Sequence, residues 1–150
     1  MDTQPNIRPY TPGDNAPLFA LWLRSVRATH TFLSEGDVQA IAPLVRDGAL
    51  VALEVWVLEG GDGEHLGFMG LDGSKLEALF IDPAHAGQGG GTQLLAHARA
   101  IKGALTVDVN EQNPAALAFY QARGFVVTGR SPTDGDGRPF PILHLAEASR

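Results

Sequence analysis

Leu79-Phe80-Ile81-Asp82-Pro83 reads as an apolar strand closing on a proline turn. Ala86-Gly87-Gln88-Gly89-Gly90-Gly91 follows as a glycine loop, and Thr92-Gln93-Leu94-Leu95-Ala96 opens an amphipathic helix. A helix rising straight out of glycines presents unpaired backbone N–H groups and the positive end of its dipole to an anion. Without a Cβ, glycine also lets a bulky phosphate approach the main chain closely. The chemistry implied is capture of a phosphate-bearing ligand by backbone. Two familiar glycine loops do not fit. A P-loop requires a lysine and a closing Ser or Thr at a longer spacing, and no lysine lies near. A dinucleotide fingerprint fails as well, because its sixth position is Thr92 counted from Gly87 and Leu94 counted from Gly89.

A second cluster follows, Asn110-Glu111-Gln112-Asn113-Pro114-Ala115-Ala116-Leu117-Ala118-Phe119-Tyr120-Gln121-Ala122-Arg123-Gly124-Phe125. Here Asn113, Ala116 or Leu117, and Tyr120 recur at helical spacing and share one face. The glycine loop resembles the Q/R-x-x-G-x-G/A signature of the GNAT N-acetyltransferase superfamily. The second cluster is similar to that family's N-x-x-A-x-x-F-Y-x-x-x-G-F pattern, in the right order and at the right distance. Thr29-His30-Thr31-Phe32-Leu33 and the tail through Pro141-Ile142-Leu143 also look like a small bacterial subgroup, so the resemblance covers nearly the whole chain. One departure stands out: the family's loop usually opens with Arg or Gln, and Ala86 holds that place here.

The resemblance implies a single α/β domain over residues 1–150, with a mixed, mostly antiparallel central sheet flanked by helices and splayed between strands 4 and 5. It implies acetyl-CoA as co-substrate and direct transfer of acetyl to a primary amine in a ternary complex. The donor is expected along Leu79, Phe80 and Ile81, over Gly87, Gln88, Gly89, Gly90, Gly91 and Thr92, and against Asn113 and Tyr120. Backbone N–H groups around Phe80 and Ile81 are the expected donors to the tetrahedral oxyanion. Asn113 either contacts the pantetheine arm or caps the helix that Pro114 begins. Tyr120 is expected at the CoA sulfur. A thiol titrates near 8.5 and a phenol near 10, so full proton transfer from Tyr120 to the thiolate runs uphill by about 2 kcal/mol. A hydrogen bond to the leaving thiolate is the role that remains.

An amine attacks only when neutral. For a lysine-like amine this costs roughly 4–5 kcal/mol at pH 7, so a general base matters. Similar enzymes place a carboxylate on the fourth strand, which here is Glu77; the alternative is a solvated residue paired with a neighbouring cation. His30 follows the first helix, where the family shapes its acceptor site, and its pKa suits proton transfer. Phe32 and His144 are further candidates to border the acceptor, and Trp22 and Trp56 either join Phe32 in an apolar pocket or belong to the core. His65, His85 and His97 lack metal-ligand spacing and read as surface, so no metal site is expected.

Composition narrows the classes. A hydrophobic share of 44% in 150 residues suits one globular domain with a real core. There is no cysteine, which removes disulfides, thiolate metal sites and an acyl-cysteine intermediate. The N-terminus is polar, and the longest apolar run, Ala49 to Leu58, contains Glu54 and is too short for a bilayer. A cytoplasmic protein without membrane contact is expected. The net charge of −6 disfavours nucleic acid and mildly favours a cationic acceptor, a small molecule or a peptide. The family also allows a homodimer. Other readings on the same fold are a non-catalytic acyl-CoA sensor or interaction module, favoured by Ala86, and modification of a protein N-terminus or an aminoacyl-tRNA.

The elements that must position these groups follow from periodicity. Asn6 to Pro9 reads as a strand, and helices are expected from about Asn15 to Ala28 and around Val38 to Val45. Val55 to Leu58 and Leu66 to Leu71 read as a hairpin about the Gly60-Gly61 turn, with Lys75 to Ile81 next to it. A helix from Gly89 to about Lys102 is expected to bury Leu94, Leu95, Ala98 and Ile101. Leu105 to Val109, a helix from Pro114, Phe125 to Val127 and Ile142 to Leu145 complete the domain, with the loop Thr133-Asp134-Gly135-Asp136-Gly137 before the last strand.

Overall fold

In the computed structural model, which describes residues 5–135 and 137–147, a seven-stranded sheet is covered on both faces by helices. Asp136, in the loop before the last strand, lies outside the described residues. The strands are β1 (Asn6–Pro9), β2 (Glu54–Glu59), β3 (His65–Asp72), β4 (Lys75–Ile81), β5 (Thr106–Asn110), β6 (Phe125–Ser131) and β7 (Ile142–Glu147), in the order β1-β2-β3-β4-β5-β7-β6. All neighbours are antiparallel except β4 and β5.

Helix α1 (Asn15–Thr29) buries Leu18, Leu21, Trp22 and Val26 against Val55, Val57 and Phe68 on one face of the sheet. Helix α2 (Glu35–Leu44) joins it there. It begins at Glu35, where Ser34 and Asp37 form a reciprocal capping box. Beyond Leu44 the helical path continues as a π segment, Val45–Ala49, and a last turn, Leu50–Ala52. Helices α3 (Gly90–Lys102) and α4 (Pro114–Gln121) cover the other face. There Leu94, Leu95 and Ala98 pack with Leu58, Met69, Leu76, Val107, Val109 and Leu145. Ile101 does not join this core; at 41% exposure it sits on the outer side of α3.

Two histidines expected at the surface turn inward. His65 Nε2 meets the buried Asp14 at 2.8 Å, beside the paired guanidinium of Arg8. His97 packs edge-on to Trp56, ring centroids 4.5 Å apart, with its Nε2 buried and unpaired. Trp22 is 3% exposed and belongs to the core. Among the described residues no helix is long and apolar enough to cross a membrane.

Candidate active site

The parallel pair β4–β5 is joined only at Lys75↔Thr106 and Leu76↔Val107, after which the strands part. From Glu77 onward one edge of β4 faces a gap. Strand alternation decides which groups point into it. Asp82 N–H bonds Leu66 C=O at 2.8 Å, so in the register Phe68↔Phe80 the Phe80 amide belongs to the β3 ladder. The N–H groups of Leu79 and Ile81 are therefore the ones aimed at the gap. This corrects the expectation for Phe80, whose amide already has a β-sheet partner.

Two clefts meet at this gap. One, of about 400 Å³, runs beside Ile81, Ala86, Gly91 and Phe119. The other, of about 230 Å³, runs beside Glu77, Asp108 and Asn110. His30, Leu79, Phe80, Asn113, Ala116 and Tyr120 border both. The larger is within the size range of small-molecule sites.

The glycine loop meets the larger cleft at its two ends, Ala86 and Gly91. Asp82 starts it: its carboxylate accepts from Ala84 N–H at 3.2 Å and from Arg24 at 2.7 Å, which ties the turn to α1. The Arg24 guanidinium, the larger cause, holds Asp82 below the usual carboxylate range. Gly87 and Gly89 take φ of +77° and +83°, where a side chain would be strained. Gly89 caps α3 with no side-chain partner for the amides of the first turn, so those of Gly90, Gly91 and Thr92 stay open to an anion. Of the residues expected on the donor, Leu79, Phe80, Ile81, Gly91, Asn113 and Tyr120 border the larger cleft, while Gly87, Gln88, Gly89, Gly90 and Thr92 do not. Gln88 turns toward His85 instead, 3.3 Å from its Nδ1.

Thr92 leads to a residue that sequence reasoning missed. Arg123 donates to the Thr92 hydroxyl from Nε and Nη2 at 3.1 and 2.9 Å, and to Phe119 C=O at 2.8 Å. Its guanidinium lies 3.8 Å from the Phe119 ring centroid. Among the described residues it is the one Lys or Arg without a carboxylate partner. The signal was in the sequence: Arg123 falls one helical turn after Phe119, with no acidic residue in Pro114 to Gly124.

Tyr120 is 7% exposed, packed edge-on to Phe119 and Phe125 with centroids 5.1 and 5.4 Å away. Burial pushes its hydroxyl above the ordinary phenol range, which makes it a poor proton donor but leaves it a hydrogen-bond donor. Asn113 accepts from Ala116 N–H at 3.2 Å and so caps α4, while its side also borders both clefts. Capping and ligand contact are compatible.

Glu77 is an inserted residue. Leu71 pairs with Leu76 and Gly70 with Ala78, so Glu77 is the bulge of β4, a feature that re-aims a side chain. It borders the smaller cleft and pairs with Lys75, the neighbouring cation, at 2.9 Å. Lys75 Nζ in turn reaches Asp108 at 3.0 Å. Asp108 accepts from His144 Nδ1 at 2.8 Å, and His144 Nε2 meets Ser131 Oγ at 2.7 Å. Burial alone would raise Asp108, but His144 and Lys75 outweigh it and hold the carboxyl below its usual range. The line carboxylate–imidazole–hydroxyl has the order of an acyl-transfer triad, yet neither Ser131 nor His144 borders either cleft.

His30 borders both clefts, 5.5 Å from the Phe32 ring and 6.1 Å from Phe80. Thr29 donates its hydroxyl proton to Ser25 C=O at 2.8 Å, so it accepts from His30 Nδ1–H at 2.8 Å and leaves Nε2 as the acceptor. Burial lowers the His30 pKa and favours the neutral ring. Phe32 stands behind it, against Phe140 at 5.8 Å, and borders neither cleft. Trp22 and Trp56 border neither as well.

A family model for the acetyltransferase (GNAT) domain matches residues 52–127. The chain is 45% identical over 140 residues to the peptidyl-lysine N-acetyltransferase YjaB of Salmonella typhimurium, covering 93% of this chain and 96% of that protein. It superposes on the solution structure of apo-form YjaB from Escherichia coli with a TM-score of 0.90 and 42% identity, over 97% of this chain and 99% of that one. A GCN5-related N-acetyltransferase from Rhodopseudomonas palustris aligns at a TM-score of 0.82 and 25% identity over 99% of each chain.

Proposed function

This chain belongs to the GNAT acetyltransferase family and transfers acetyl from acetyl-CoA to an amine, and we propose that its acceptor is the side chain of a lysine in a peptide or protein. The observation that carries the reading is the pair of clefts meeting across Tyr120, Leu79 and Phe80. A donor entering past the glycine loop and an acceptor entering past Glu77 would meet there, which suits direct attack in a ternary complex. The peptidyl-lysine acceptor for which the YjaB relative is named and the net charge of −6 support a cationic lysine over an RNA-borne acceptor.

In this reading the open amides of the α3 first turn hold the pyrophosphate. Arg123 supplies the cationic contact that Ala86 lacks. Leu79 and Ile81 N–H stabilise the oxyanion, and such preorganised donors are worth about 3–4 kcal/mol. Tyr120 donates a hydrogen bond to the departing thiolate. Glu77 draws in the ammonium and takes its proton, directly or through water, while the neutral His30 offers Nε2 to orient the amine. We place the enzyme in the cytoplasm, consistent with a chain that has no cysteine to oxidise.

The test is calorimetry with acetyl-CoA and free CoA, followed by transfer to a lysine peptide, for the native protein and Tyr120→Phe. Retained binding with kcat reduced about 10- to 100-fold, the range of a hydrogen bond to a charged group, supports the assignment. Absence of acetyl-CoA binding up to millimolar would remove it.

A further inference from the structure

A lysine acceptor reaches the enzyme as an ammonium ion, and a similar ion is already seated beside the acceptor cleft. Glu77 and Asp108 both border the smaller cleft. Lys75 Nζ lies between them, 2.9 Å from Glu77 Oε1 and 3.0 Å from Asp108 Oδ2. Asp108 is braced from behind, since its other oxygen accepts from His144 Nδ1 at 2.8 Å. Two carboxylates on different strands therefore converge on one primary ammonium at the point where β4 and β5 part.

We propose that Glu77 and Asp108 form the seat of the acceptor's ammonium group, and that Lys75 occupies it in the free enzyme, so that a cationic acceptor binds by exchange with this internal lysine. The inference rests on the reading that the cleft beside Glu77 receives the acceptor. Exchange is physically cheap. The Lys75 side chain is 40% exposed, and a solvent-facing ion pair of this kind contributes at most about 1 kcal/mol. Its flexible four-carbon stem can carry the ammonium out into water without moving the backbone. Lys75 thus acts as a built-in competitor that lowers apparent affinity for cationic acceptors and keeps the two carboxylates from repelling each other when the cleft is empty. It does not touch the reacting atoms; it sets acceptor specificity through Glu77 and Asp108.

Lys75→Met separates this role from a structural one. At saturating acetyl-CoA, the variant should lower KM for a lysine peptide about two- to five-fold. Its acetyl-CoA affinity should match the native value, and an arylamine, neutral at the assay pH, should show no such gain. Lys75→Arg, which keeps a cation between the carboxylates, should not share the gain. Asp108→Asn should raise KM for the lysine peptide and decides the matter if Lys75→Met fails to fold. A purely structural Lys75 predicts lower melting temperature with KM unchanged or raised, and that result in protein that still binds acetyl-CoA overturns the inference. The acceptor reading fails separately, and this inference with it, if Glu77→Gln leaves kcat/KM untouched for every amine tried. If Glu77→Gln cripples transfer while Lys75→Met leaves KM unchanged, only the inference fails.

Discussion

Arg123 holds the Thr92 hydroxyl through two donors, at 3.1 and 2.9 Å, and so ties the end of α4 to the first turn of α3. In the proposed reading this guanidinium, without a carboxylate partner and beside open helix amides, contacts a phosphate group of the donor. Arg123→Ala is expected to weaken acetyl-CoA binding about tenfold or more, in the range of one charge-assisted hydrogen bond. Titration calorimetry at two salt concentrations checks this: the native protein should lose affinity with salt more steeply than the variant. Equal affinity and equal salt dependence would leave Arg123 a packing residue on Phe119.

Glu77 should matter most when the acceptor amine is charged. Glu77→Gln is expected to reduce kcat/KM for a lysine peptide about 10²–10⁴-fold at pH 7. The deficit should shrink as pH rises toward about 10, where the amine is neutral without help. A pH–rate profile of both proteins measures it. A deficit that stays constant from pH 7 to 10 would assign Glu77 to positioning alone.

His30 carries a stability signature. Burial lowers its pKa in the folded chain below the ordinary 6.5, so the unfolded chain binds the proton first as pH falls. Stability contributed by the neutral ring is therefore complete above about 6.5 and is lost progressively below it, down to the lowered native value. Urea unfolding at pH 5 and pH 7.5 should show a smaller difference for His30→Gln than for the native protein. An unchanged difference would mean that other groups carry the acid sensitivity.

Asp14 should be the most costly carboxylate to remove. It is 4% exposed and receives two bonds from Arg8 at 2.8 Å, one from His65 at 2.8 Å and the Thr11 amide at 2.8 Å. Arg8, the largest cause, holds its pKa far below the usual range. The stability this supplies is present above the unfolded value near 3.9 and is lost as pH falls toward the native one. Asp14→Ala leaves Arg8 short of a partner and is expected to cost about 3–5 kcal/mol, read as a lower denaturation midpoint. Transfer kinetics at permissive temperature should barely change, because Asp14 borders neither cleft.

What the chain declares by itself is local. Glycines at Gly87 and Gly89, Pro114 at the start of a helix, and the shared face of Asn113, Ala116 and Tyr120 follow from short-range sterics and helical spacing. They were enough to indicate an anion loop and the helix that faces it. Tertiary structure decided the rest, because those features depend on partners far apart in sequence. The parting of β4 from β5 after Leu76, the bulge at Glu77 and the alternation that selects Leu79 and Ile81 over Phe80 are properties of strand register. Arg123 meets Thr92, and Lys75 meets Asp108, only once 31 residues and the β4–β5 crossover have folded between them. His65 and His97 read as surface because polarity alone cannot show a buried Asp14 or the edge of Trp56. Short-range preferences therefore indicate which groups can do chemistry, while the packing of distant strands determines which of them share a cleft.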